Sequence, residues 1–591
     1  MNGLVSMLVA VACVIPLLAQ APGENSVEAR RERLRTALQE EWEYQLRISP
    51  ELATSIGDNR YNDRLSDYSP EFFASDLEHA RRSLRIFEAI DTSGFPEPER
   101  LNKVLMVRGL REQIEGARFK DWEMPVDQMG GIQIQLASLP SGTTFHSVKD
   151  FEDYVSRLHQ IPRVLEQAAA NMRAGLRDRL VPPRYLLEKA AAQAQDIAGK
   201  PVEESPFSQP VQKFPPGVSE AEQKSLREAV LQAVRAEVAP AYARLANFLR
   251  TEYAPRGRTE YGIWALPDGD ARYRFDVRQI TTTSMSSEEI HQLGLKQVAE
   301  IEAEMLKLAR QQGFNDLHSF NEHLRNDSQL HAKSGQQLLS LYKQYTEQMY
   351  TKLPQLFGRL PKNQLDVVPM EAFRAPNSVP ADYSIGAGDG SRPGRINVNE
   401  YEPTHRLLLN VEAIAYHEGI PGHHLQFSIA QEQTDLPPFR RFSQYSAYSE
   451  GWAFYAERLG KEAGFYQDPY SEYGRLENEM WRSVRLVVDT GVHSQRWSRQ
   501  QMVDFFRQHT ALDEPIIENE VDRYIAWPGQ ALAYKLGQMK ILELRDRARQ
   551  RLGPHFDLRA FHDALLGDGP LPLDVLEANM DGWLAATHPA P

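Results

Sequence analysis

The stretch Asn410 to Ile429 reads NVEAIAYHEGIPGHHLQFSI and gathers His417, Glu418, His423 and His424 in a short span. Imidazole and carboxylate are the zinc ligands left to a chain without usable cysteine. A zinc helix of the His-Glu-x-x-His type sets its histidines one turn apart, with the glutamate as general base. Here the fourth residue after His417 is Pro421, so the plain motif fails. On an unbroken helix His417 and His424 share a face but lie ~10.5 Å apart along the axis. Zinc–nitrogen bonds of ~2.0–2.1 Å cannot span that distance. His423 would point to another side of the helix. Two-histidine coordination therefore requires a break, and Gly419-Ile420-Pro421-Gly422 contains the residues to make one. Pro421 lacks the N–H that would bond the His417 carbonyl, and Gly422 tolerates unusual dihedrals. The bland alternative is a surface turn with incidental histidines. The Pro-Gly-His-His run after His-Glu favours a metal site, and leaves His423 and His424 both open as second ligand.

A third ligand is required. Phe442 to Gly460, FSQYSAYSEGWAFYAERLG, reads as an aromatic-rich helix. Glu450 lies between Ser449 and Gly451-Trp452, in the half that looks more buried, 27 residues after His423. A charge in apolar surroundings is costly unless paired or metal-bound. Glu457 and Arg458 of the same helix read as solvated charges.

The elements that must position these groups are mostly helices. The chain has 591 residues, with 67 Lys plus Arg against 81 Asp plus Glu, a net charge of −14. That acidic balance argues against a sequence-independent nucleic-acid binder. A mean hydropathy of −0.51 excludes a polytopic membrane protein. The one cysteine, Cys13, excludes an intrachain disulfide and any Cys-rich metal site. It falls in the uncharged run Leu4 to Leu18, which is shorter than the ~20 residues a membrane span needs. Ala19-Gln20-Ala21 follows, so residues 1–21 read as a signal peptide. The reading implies an exported protein, periplasmic or extracellular. Lipid attachment at Cys13 is the weaker alternative, because apolar residues continue past it.

Glu28 to Arg47, Asp76 to Ile90 and Pro98 to Phe119 are rich in strong helix formers. Phe151 to Leu176, Pro183 to Ala198 and Glu220 to Glu252 read as further helices. The five prolines in Gly199 to Val218 mark a loop. Ser286 and Glu289 fit a capping box ahead of an apolar stripe running from Ile290 to Leu308. Leu365 to Pro369 and Arg395 to Asn399 are the best strand candidates. The expectation is a mostly α protein with a small β element beside a cleft. An N-terminal helical lobe would span 22–280, and a C-terminal lobe over 281–591 would carry the metal.

His417 to Gln426, HEGIPGHHLQ, resembles the signature of bacterial domain-of-unknown-function family 885, which looks like a distant branch of the gluzincin metallopeptidases, alongside the thimet oligopeptidases and Taq-type carboxypeptidases. Ser449 to Ala453, Arg485 to His493, and Arg523-Tyr524 through Pro528 to Ala531 extend the likeness. Aligning Gly422-His423 with the Gly-His of the shorter zincin motif implies His423 as the second ligand. The resemblance thus implies Zn²⁺ on His417, His423 and Glu450, a fourth position for water, and Glu418 as the base that activates it. The substrate would be a short peptide. Tyr524, Tyr534 and His493 are candidates for a second oxyanion donor. Arg482 and Arg485 could hold a substrate carboxylate, although Arg485 could equally pair with Asp489 four residues on. Arg395 to Asn399 could bind an extended peptide at a sheet edge, and the Gly-rich run Gly386 to Gly394 before it looks like a mobile loop. A metal-dependent amidase for a non-peptide amide, or an inactive metal- or peptide-binding protein, is the competing reading. A pure binding scaffold has no need of Glu418.

Overall fold

The computed structural model describes residues 26–587. The expected leader over residues 1–21, with Cys13, lies outside the described residues. Helix takes 71% of the structure and one three-stranded sheet is the β element, as expected for a mostly α chain. No helix of the described residues is long and apolar enough to cross a membrane.

Ser286 caps the helix α1, Ser287–Gln311. Its hydroxyl accepts from the Glu289 N–H at 3.2 Å, and the Glu289 carboxylate accepts from the Ser286 N–H at 2.8 Å. The stripe Val298, Ile301 and Met305 is buried against Met480, Val484 and Val488. Proline shapes two expected helices differently from their reading as single runs. Residues 151–176 belong to two helices, Val148–Leu158 and Ile161–Asp178, with Pro162 in the first turn of the second. There its missing N–H has no intrahelical partner to lose. The run 220–252 stays helical but widens at Val234–Val238 and Leu249–Tyr253, just ahead of Pro240 and Pro255. A proline cannot donate to the carbonyl four residues back, and a wider i→i+5 turn accommodates that.

The sheet consists of β1 (Leu365–Pro369), β2 (Ala381–Ser384) and β3 (Gly394–Val398) in the order β1-β3-β2. β3 is central, parallel to β1 and antiparallel to β2. The expected edge pairing at Arg395 to Asn399 is therefore corrected: both sides of β3 are occupied, and the edge strands are β1 and β2, of which β2 lies toward the site. The Gly-rich run between β2 and β3 is tied down, with the Gly388 N–H donating to the Ile56 carbonyl at 3.0 Å and Gln431 to the Gly386 carbonyl at 3.1 Å.

Six further helices carry the site. They are α2 (Val411–Glu418), α3 (His423–Gln431), α4 (Ser446–Glu462), α5 (Pro469–His493), α6 (Glu514–Ala526) and α7 (Ala533–Leu552). Helices α4 and α7 touch backbone to backbone. A Cβ on Gly451 would lie 2.4 Å from the Gly537 Cα, and one on Gly537 would lie 1.8 Å from the Ala447 carbonyl oxygen. Only glycine allows that approach. Trp452, Tyr448, Ile541 and Leu565 fill the apolar core around this crossing.

Candidate metal centre

The helix break expected between His417 and His423 exists: α2 ends at Glu418 and α3 begins at His423. Across the gap, the Gly422 N–H donates to the Tyr416 carbonyl at 2.9 Å, and the His424 N–H to the Gly419 carbonyl at 3.0 Å. A Cβ on Gly422 would sit 2.0 Å from the His417 carbonyl oxygen, so glycine is required there. The Trp452 indole N–H holds the Pro421 carbonyl at 2.9 Å, which pins the bulge to α4.

The bulge turns His423 back toward His417. Their rings lie 4.9 Å apart and nearly perpendicular, at 89°. Glu450 Oε2 approaches from α4, 3.4 Å from His417 Nε2 and 3.3 Å from His423 Nε2. One ligand atom from each of the three residues lies within 4.8 Å of the others. His424 faces away. Its Nδ1 meets the Tyr383 hydroxyl at 3.0 Å and its Nε2 the Asn363 carbonyl at 3.1 Å. The donor set fits a divalent cation such as zinc on two grounds. It is two imidazoles and a carboxylate. In addition, Glu450 Oε2 is buried without a hydrogen-bond partner, which is costly unless something else satisfies it.

The electrostatics also favour positive charge here. Burial alone lowers the His417 pKa, but the adjoining carboxylates of Glu450 and Glu457 outweigh it and hold the ring at about 9. Burial likewise raises Glu450, and the two histidines more than reverse this, so its carboxyl lies well below the usual range. Glu418 goes the other way. Burial pushes it up to about 7, against the pull of His417 and His423. A carboxylate at that value can take and return a proton near neutrality.

Glu457 is a correction. It is not solvated: it is 1% exposed, and it meets His417 Nδ1 at 2.8 Å while accepting from Asn478 at 2.9 Å. Arg458 beside it is exposed, as expected. The signal was present in the sequence, since Glu457 follows Glu450 by seven residues, two helical turns on the same face.

A cavity of about 360 Å³ opens beside the three ligands. Glu418, Tyr534, Arg482 and Arg485 line it, together with Arg523 and the β2 residues Asp382 and Tyr383, which the sequence did not single out. The Tyr534 ring stacks at 6.1 Å on His417, and its hydroxyl accepts from Arg523 at 2.9 Å. Two other candidates lie elsewhere. The Tyr524 hydroxyl is engaged by Glu520 and by Arg485 Nε, the latter at 2.8 Å, so it stands behind the cavity wall. His493 is fully buried between two backbone groups. Its Nδ1 accepts from the Ile263 N–H at 3.0 Å and its Nε2 meets the Tyr524 carbonyl at 2.9 Å. Neither can touch a substrate in the cavity. The pairing of Arg485 with Asp489 is also absent: Arg485 Nη2 donates to Glu520 at 2.8 Å, and Asp489 accepts from the Tyr273 hydroxyl at 2.6 Å.

Comparison with known proteins places this site in a family context. A family described as "Bacterial protein of unknown function (DUF885)" matches residues 50–580. A crystal structure of a "putative lipoprotein" from Colwellia psychrerythraea is similar at a TM-score of 0.88 and 28% identity, covering 95% of this chain and 100% of that one. A "putative lipoprotein of unknown function" from Shewanella oneidensis shares the fold at a TM-score of 0.64 and 17% identity, covering 94% of this chain and 99% of that one. Among curated proteins none matches.

Proposed function

This chain belongs to the bacterial family of unknown function DUF885, whose description assigns no reaction, so we propose one from the site itself: metal-dependent hydrolysis of an amide bond in short peptides. The observation that carries this reading is the convergence of His417, His423 and Glu450 within 4.8 Å, with the buried Glu418 next in sequence to one of them. These three residues would hold a zinc ion. Bound there, the ion would supply Lewis acidity, drawing the pKa of a water toward ~7 and polarising the substrate carbonyl.

The chain's own groups do the rest. Glu418 takes the proton of the attacking water and delivers it to the leaving nitrogen. Glu457 accepts a hydrogen bond from the His417 Nδ1–H, which fixes the ring and frees Nε2 to act as ligand. Tyr534 is the remaining candidate for the oxyanion donor. Its hydroxyl accepts from Arg523 and Gln530 and keeps its own proton to give. The unpaired edge of β2, which lines the cavity, supports pairing with an extended peptide.

Elemental analysis of the purified protein should give about one zinc per chain. Replacing Glu418 with Gln should leave that content intact and lower peptide turnover by about 10²–10⁴-fold. Unchanged hydrolysis in that variant would end the mechanism. The leader-like run supports a place outside the cytoplasm, and the description of the Colwellia relative favours the alternative to cleavage after residue 21, lipid attachment at Cys13. A Cys13→Ser protein that still sediments with membranes would remove the lipid from this account.

A further inference from the structure

Arg482 is the least satisfied buried charge in the cavity wall. It is 5% exposed, and among the described residues its guanidinium makes no hydrogen bond. Its nearest carboxylate oxygen, on Glu457, is 3.7 Å away and already serves His417. The Arg482 guanidinium rests on the Trp481 ring at 4.6 Å. Arg485 and Arg523 line the same cavity, are 2% and 8% exposed, and each keeps at least one buried N–H without a partner. Arg485 stacks on the Tyr534 ring at 4.3 Å, and Arg523 donates to the Tyr534 hydroxyl at 2.9 Å.

Within salt-bridge distance, three buried guanidiniums thus share two carboxylates, Glu457 and Glu520, so one is left without a partner of its own. Burying it uncompensated is expensive, and planar guanidinium forks match a carboxylate in charge and in geometry. Stacking of Arg482 and Arg485, and the hydrogen bonds of Arg523 to Tyr534 and Gln530, hold those forks in place before any ligand arrives, so less entropy is lost on binding.

From this we infer that Arg482, Arg485 and Arg523 form a carboxylate subsite, and that the substrates are short peptides bearing a carboxylate a few residues from the scissile bond. The inference rests on the hydrolase reading above. Tyr534 is the spacer: one face of its surroundings is His417 at 6.1 Å, the other the arginines. An extended residue covers ~3.3–3.6 Å, so one to three residues bridge from metal ligands to arginines. A chain-terminal carboxylate always lies on the leaving-amine side. Its capture there makes the protein an exopeptidase working from the carboxyl end. An acidic side chain offers the same chemistry, and the test separates the two.

The zinc-loaded full chain is assayed with tri-alanine, with its C-terminal amide, and with an amidated Ala-Ala-Glu peptide. Tri-alanine should exceed its amide by about 10- to 100-fold in kcat/KM. Recovery of the rate by amidated Ala-Ala-Glu assigns the subsite to an acidic side chain. Equal rates for all three overturn the subsite and leave the hydrolase standing. In parallel, Ala-Ala and its amide are titrated calorimetrically into zinc-depleted protein. Preference for the free acid there upholds the subsite even if no peptide is cleaved. Equal or absent binding of both, with no acid preference in turnover, overturns it. Arg482→Gln and Arg523→Gln should each shrink the acid-to-amide ratio. A ratio unchanged in both variants, each folded by circular dichroism, removes these residues from the subsite.

Discussion

His493 and the pair His417 and His423 are all buried, yet their ring nitrogens are used in opposite ways. Both nitrogens of His493 end on backbone groups, one accepting from Ile263 and one meeting the Tyr524 carbonyl. Burial pushes its pKa down to about 3, so it stays neutral. His417 and His423 instead turn nitrogens toward the same carboxylate oxygen of Glu450 without making a good hydrogen bond to it. The first arrangement is complete and serves the fold. The second is incomplete in a way that a cation completes. Satisfaction of buried polar atoms, more than burial or residue type, separates framework from site.

The metal centre is most exposed to change at His423. Its replacement by Ala should take the metal from about one per chain to near none, whereas His424→Ala should keep it, as read by elemental analysis. Metal loss only in the His424 variant would exchange their roles. His493→Ala should do the reverse of His423→Ala. It leaves two buried backbone groups unpaired and should cost about 2–4 kcal/mol in urea unfolding, with metal content intact.

The framework carboxylates give a pH signature. Burial would raise Glu479 and Glu520, but Lys535 with Arg475, and Arg485 with Arg523, hold them at about 2. A folded pKa below the unfolded one near 4.5 means that stability is full above pH 4.5 and drains away as pH falls toward 2. Denaturation midpoints followed over that interval should fall, and Lys535→Met should alter the slope.

Glu457→Gln is a smaller perturbation at the border of the two regions. It should weaken zinc by about 10- to 100-fold in chelator competition, leaving the fold unchanged. The smallest effect is expected from Tyr524→Phe. Its hydroxyl serves Glu520 and Arg485, so turnover should change by less than about tenfold. A much larger loss would put Tyr524 at the chemistry.

Much of this was legible in the sequence because it follows from local rules. The Ser286 capping box, the broken helix around Pro421 and the strand Leu365–Pro369 depend on residues close in the chain. Glu450 was legible as an isolated charge among aromatics. What stayed hidden depends on tertiary partners. Arg485 had Asp489 at helical spacing, but Glu520, from another helix, offers the better-placed carboxylate. Tyr524 and His493 looked reactive by type, and only the contacts from Arg485, Ile263 and Glu520 show them occupied. The short strand β2 is too brief to announce itself, yet it supplies the cavity edge.

The glycine-on-glycine crossing of α4 and α7 sets a ruler for the cavity. Gly451 adjoins Glu450, and Gly537 lies one turn beyond Tyr534, so the crossing fixes how far the ligand carboxylate stands from the aromatic spacer. With no side chain between the two backbones, neither helix can advance or retreat along the other without a clash. The gap between the bond to be cut and the charged wall is therefore written into the backbone, and a single methyl group at either glycine would recalibrate which peptide lengths fit.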